Sequence, residues 1–169
     1  MTDERPVPPP EGAERQMLSA WLDRQRATLA FKCGGLTDDQ LRTQAVPPSR
    51  LSLLGLIRHM AEVERNWFGP LLAGEQMTGI WAAGQVLDPE PAFDEVATAD
   101  VAVAFAAWRA ECERARELAD ASPSLDVTGL RGGARFSLRW VMVHLIEEYA
   151  RHNGHADLLR ERIDGSTGE

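Results

Sequence analysis

The 169-residue chain is short of cysteine, lysine, tyrosine and long apolar runs, and each shortage narrows what it can be. Its two cysteines, Cys33 and Cys112, stand far apart with neither metal-binding nor redox spacing. A disulfide scaffold, a cysteine-rich zinc module and a dithiol redox centre are thereby excluded. Both thiols are expected to be reduced and, with Cys112 on an apolar stripe, partly buried. No stretch supplies the roughly 20 apolar residues of a membrane-spanning helix, and Met1 is followed by TDERPVPPPEG rather than a basic and apolar leader. A cytoplasmic location without a membrane partner is the expectation. Positive charge is also scarce, with 18 basic against 26 acidic residues and a formal charge of -8. That balance argues against a nucleic-acid partner, because phosphate binding needs a concentrated basic surface.

What is present is ordinary globular material, 44% hydrophobic and 26% charged, in a chain long enough to bury a core without disulfides or metals. Residues 1–12 are proline-rich and read as a flexible arm, residues 13–165 as one helical domain, and residues 166–169 as a flexible tail. Four amphipathic stretches occupy the domain. The first, residues 14–32, carries Met17, Leu18, Trp21, Leu22 and Leu29 at helical spacing and stops at Gly34-Gly35. Thr37 and Gln40 have capping-box spacing, which predicts a short connector helix before Pro47-Pro48. The second stretch, residues 52–68, presents Leu53, Leu56, Met60, Val63 and Trp67 and is expected to halt at Gly69-Pro70. Residues 71–97 form a long connection with room for one short helical turn. The third helix, 98–121, repeats Val101, Ala104, Phe105, Trp108, Cys112 and Ala115, a stripe that reads as purely structural. After a turn-rich segment that allows a short extended pair, Ser137 caps a fourth helix ending at Gly165. The fold class is all-α, an antiparallel four-helix bundle with long connections.

The fourth helix is anomalous. VHLIEEYARHNGHADLLRE, residues 143–161, holds three of the four histidines. At 100° per residue from His144, Glu148 falls at about 40°, His152 at about 80° and His155 at about 20°, the sector that also holds Val141, Leu145 and Leu159. Polar groups on a core-facing stripe need partners, water or a cation, since leaving them unpaired costs several kcal/mol. Residues four apart are separated by about 6 Å along the axis and can share one ion, whereas His144 and His152 are about 12 Å apart. The pairs His144 with Glu148, Glu148 with His152, and His152 with His155 all remain open. A further ligand has to come from another helix, and the one remaining histidine, His59, lies in the middle of the second. A hydrogen-bonded polar network would satisfy the same groups.

Two segments, LSLLGLIRHMAEVERNWF (51–68) and SLRWVMVHLIEEYARHNGHADLLRERIDG (137–165), resemble the DinB/YfiT-like superfamily of four-helix metalloproteins. The likeness is strongest to the actinobacterial branch related to mycothiol-dependent maleylpyruvate isomerase. The resemblance implies one divalent metal, zinc before nickel, iron or manganese, held by His59, Glu148 and His152. It further implies mycothiol or a similar small thiol as cosubstrate, an electrophile as partner, and a thiol S-transferase or isomerase activity in a monomer or homodimer. Many DinB-like proteins carry histidine at the place of Glu148, and the set His, Glu, His instead resembles the mycothiol-dependent isomerase branch, which favours thiol chemistry; the isomerase has an additional C-terminal domain that helps bind its substrates, so maleylpyruvate itself is not the expected substrate. A non-catalytic metal-binding stress or ligand-binding protein and a metal-dependent hydrolase are the alternative activities. Around the ligands, His144 is the candidate catalytic proton relay or orienter of Glu148, and His155 a partner of a ligand. Arg58, Glu62 and Arg151 are candidates for anion binding against a default of surface ion pairs, and Trp67 and Trp140 for pocket walls against core packing.

Overall fold

Side-chain caps set most helix starts. Ser52 accepts from the Gly55 N–H to open α3 (Leu53–Phe68), Asp100 from Val103 to open α5 (Val101–Ala121), and Ser137 from Trp140 to open α6 (Leu138–Asp164). Thr37 and Gln40 form the reciprocal capping box of the short α2 (Asp38–Arg42). The first long helix, α1 (Glu14–Cys33), has no side-chain cap and gives way to Gly34-Gly35, with Gly35 at φ 74°. The last ends on Gly165 at φ 77°, the left-handed conformation that only glycine adopts without strain. The computed structural model describes residues 5–81 and 90–167.

Two connections differ from the periodicity. The chain does not break at Gly69-Pro70 but runs on through one π-helical turn, Gly69–Ala73. Pro70 has no N–H to continue the ladder, and the carbonyl four residues before it, that of Asn66, accepts from Arg131 Nε at 2.8 Å instead. The long link includes α4 (Glu90–Asp94), while the rest of its predicted turn region, residues 82–89, lies outside the described residues. The turn-rich segment after α5 becomes a hairpin of β1 (Thr128–Arg131) and β2 (Ala134–Ser137), paired antiparallel with Gly129 opposite Phe136. Gly132 and Gly133 both have positive φ, 57° and 82°, as a tight hairpin turn requires. At Gly129 a Cβ would stand 2.1 Å from the Leu71 carbonyl oxygen, so the hairpin backbone lies directly on the π-helical turn.

Inter-helix contacts fix the directions. Arg139 at the start of α6 pairs with Glu14 at the start of α1, and Arg160 near the end of α6 donates to the carbonyls of Lys32 and Gly34 at the end of α1. These two helices therefore run parallel. Arg15 donates to the carbonyls of Ala119 and Ser122 at the end of α5, so α5 runs opposite to α1, and His59 meets His152 while the later Trp67 meets the earlier His144, so α3 runs opposite to α6. The order is up, down, down, up, and the 69–100 link is long because it must return the chain along the full bundle.

The core joins all four long helices through Leu22, Leu29, Leu56, Met60, Trp108 and Leu145. Trp21 is the exception among the predicted face residues of α1; Leu22, Arg26 and Leu29 point inward and leave it at the rim, 45% exposed. Within the core lies a charged knot. Arg26 donates Nε and Nη2 to the two oxygens of Glu64 at 2.8 and 2.7 Å, and Tyr149 Oη donates to Glu64 Oε1 at 2.8 Å. Trp108 Nε1 donates to Tyr149 Oη at 2.8 Å, and Cys112 Sγ lies 3.6 Å from Glu64 Oε1. A bidentate pair whose Oε1 also takes Tyr149 and whose guanidinium also reaches Asp23 at 3.0 Å is what allows these charges to be buried. Burial pushes the Cys112 thiol up to about 12, and the Cys33 thiol likewise. Among the described residues no helix is long and apolar enough to cross a membrane.

Candidate metal centre

Antiparallel packing of α3 on α6 carries His59 from the middle of one helix onto the face of the other that displays Glu148 and His152. One ligand atom from each of the three lies within 4.8 Å of the other two. His152 Nε2 stands 3.4 Å from Glu148 Oε2, and the rings of His59 and His152 meet edge to face with centroids 4.7 Å apart. The face is held by the residues next in sequence. Tyr149 is anchored in the Glu64 knot, and Asn153 donates Nδ2 to the main-chain and side-chain oxygens of Gln25 on α1. Each anchor follows a ligand by one position, so fixing the inward side of α6 fixes the azimuth of Glu148 and His152.

Electrostatics suit these groups to bind a cation. Burial, helped by the neighbouring His152, pulls the His59 pKa from its ordinary 6.5 to about 4 against the opposing pull of Glu148, leaving an imidazole with a free lone pair at neutral pH. The hydrogen bond from His152 holds the Glu148 carboxyl below the usual carboxylate range despite partial burial. His155 Nδ1 lies 3.3 Å from His152 Nδ1, so that bond orients the ring and leaves Nε2 to face Glu148.

Other predicted residues fall into distinct places. His144 Nε2 lies 3.6 Å from Glu148 Oε1, opposite the oxygen that faces His152, and its ring packs against Trp67 and Trp140. Burial lowers its pKa. A second group of potential ligand atoms, from His144, Glu147 and Glu148, shares this carboxylate. Trp67 is buried and Trp140 half exposed. Arg151 pairs with Glu147 on the surface. Arg58 is buried rather than on the surface: it donates to the carbonyls of Pro91 and Ala92, and its guanidinium stands over the Trp81 ring, 4.4 Å from the centroid. Glu62 accepts the N–H groups of Ile80 and Trp81. These two residues pin both ends of the link that brings Phe93 to within 5.7 Å of the His59 ring. Sequence reasoning missed the Arg26, Glu64 and Tyr149 knot, although a charged residue four positions after Met60 on an apolar stripe was the available signal.

Two imidazoles and one carboxylate match the nitrogen and oxygen ligands zinc prefers, and a tetrahedral site needs its ligands roughly 3.4 Å apart. The 3.4 Å between Glu148 and His152 already meets that spacing, so the residues fit the metal. The family model for mycothiol-S-transferases matches residues 17–165. The chain belongs to the mycothiol-S-transferase family. That match covers α3, α5 and α6, all but the first three residues of α1, and the candidate ligands of this mycothiol-S-transferase family member. No curated protein matches it.

Proposed function

We propose that the protein conjugates intact mycothiol through its sulfur to an electrophilic carbon at one divalent metal, zinc by ligand chemistry, held by His59, Glu148 and His152. The observation that carries this reading is the convergence of those three side chains, from two helices, within 4.8 Å in a chain of this family. When bound, the ion supplies a site where a thiol loses its proton near neutral pH. No protein cysteine takes that role, because Cys33 and Cys112 are both buried with their thiols pushed up to about 12. His59 stays unprotonated, Glu148 contributes one negative charge, and His155 fixes the ring of His152. His144 touches the carboxylate from the outer side and orients it while offering a neutral imidazole to carry a proton between the site and solvent.

Three protein ligands leave positions open for a small molecule, the arrangement of a catalytic rather than a structural site. The test is a discontinuous assay of mycothiol loss with a panel of electrophiles, comparing metal-loaded and metal-free protein. Metal-dependent thiol consumption with at least one electrophile is expected. No consumption above the metal-free control with any of them would overturn the transferase reading.

A further inference from the structure

Beside the triad stands an aromatic wall that the ligand set does not use. Trp67, Phe136 and Trp140 pack mutually, with centroids 5.3 Å (Trp67 to Phe136), 5.1 Å (Trp67 to Trp140) and 4.6 Å (Phe136 to Trp140) apart. His144 joins this wall to Glu148: its ring lies 4.5 Å from Trp67 and 4.9 Å from Trp140, and its Nε2 is 3.6 Å from the carboxylate. The Arg131 guanidinium sits 3.8 Å from the Trp67 centroid and donates Nε to the Asn66 carbonyl. Trp140 is nevertheless 45% exposed. Trp81 and Trp108 give their indole N–H groups to protein oxygens, whereas among the described residues none accepts from Trp67 or Trp140. Trp67 is buried beneath Arg131, so the surface this wall presents is that of Trp140, with two indole donors unengaged among the described residues and one guanidinium beside them; of the two carboxylates beside His144, Glu147 is already paired with Arg151.

We propose that this wall is the electrophile subsite, and that it selects planar, electron-poor acceptors with a carbonyl in conjugation, the quinone and aryl enone class. This rests on the transferase reading above and deepens it. Indole faces attract the electron-poor π face of such a molecule through complementary quadrupoles. The indole donors and Arg131 complement the carbonyl oxygen, on which negative charge grows. The reaction is an addition that needs no other reagent: sulfur bonds to the β carbon, the C=C pair shifts toward the carbonyl, and the proton lost by the thiol ends on the α carbon.

Two measurements test the subsite. In the first, 2,3-dimethyl-1,4-naphthoquinone, whose substituents block addition, is titrated calorimetrically into the wild type, Trp140→Ala and, as an exposed-tryptophan control, Trp21→Ala. Loss of one stacking partner weakens binding by roughly two- to twelvefold, and that weakening is expected in Trp140→Ala but not in Trp21→Ala. Equal affinity in all three, or no binding to the wild type, would overturn the assignment. In the second, kcat/KM for 1,4-naphthoquinone is divided by that for iodoacetamide; the ratio is expected to fall about tenfold in Trp140→Ala, mainly through KM. An unchanged ratio would contradict selection by the wall. If no electrophile consumes thiol, the transferase reading fails while the titration still decides whether the wall binds planar acceptors.

Discussion

Replacing Tyr149 with phenylalanine should cost the bundle several kcal/mol although only one oxygen atom is lost. Tyr149 is fully buried, and its hydroxyl donates to Glu64 Oε1 and accepts from Trp108 Nε1, both at 2.8 Å. A hydrogen bond to a carboxylate contributes about 1.5–3 kcal/mol, and stranding a buried indole N–H costs about 1–3 kcal/mol more. Together they predict a loss of about 2.5–6 kcal/mol, centred near 4 and large against a typical total of 5–15 kcal/mol. With a urea m-value of about 2 kcal/mol per molar, the denaturation midpoint of the metal-free protein should drop by about 2 M without a change in slope. Glu64→Gln should cost at least as much, because it takes from Arg26 its one fully buried counter-ion and leaves only the partly exposed Asp23 to balance a buried cation. Tyr149 adjoins Glu148 on α6, so Tyr149→Phe should also weaken metal binding about tenfold, within the range seen when partners of ligands are removed. A midpoint shift below about 0.3 M would refute the claim that the knot locks α3 to α6.

Chelation should leave the far-UV circular dichroism almost unchanged, since the core spans all four helices without the metal; collapse of the helical signal would show that metal binding and folding are coupled here. His155→Ala should lower metal affinity about 10- to 100-fold by freeing His152 Nδ1, a change that isothermal titration with zinc would read. The metal-free protein should lose stability as pH falls from 6.5 towards 4. His59 has a folded pKa of about 4 against an ordinary 6.5, so the unfolded chain binds the additional proton in that window. The loss reaches at most about 3 kcal/mol, and a His59→Phe variant that keeps the same pH slope in urea titrations would contradict it.

Local chemistry made much of this fold legible in the sequence. Ser52, Ser137 and the Thr37 and Gln40 box act within one turn of their own helix, so their roles needed no knowledge of neighbours. The histidines of α6 stood out because polar groups recurred on an apolar stripe. The stripe of α1 misplaced Trp21 because spacing gives a face but not its rotation toward partners, which Leu22, Arg26 and Leu29 settle by burial. The parallel course of α3 and α5 depends on how far the 69–100 link travels, a tertiary property. Arg26 and Glu64 lie on different helices with no local signature of pairing, and Arg58 looked like a surface cation until the link folded over it.

The account depends most on the three converging ligands. Elemental analysis of protein purified without chelator or a nickel column, comparing the wild type with a His59→Ala, His152→Ala double variant, tests them directly. The account predicts close to one equivalent of a divalent metal in the wild type and little in the variant, with both equally helical. Equal metal content in the two proteins would contradict it.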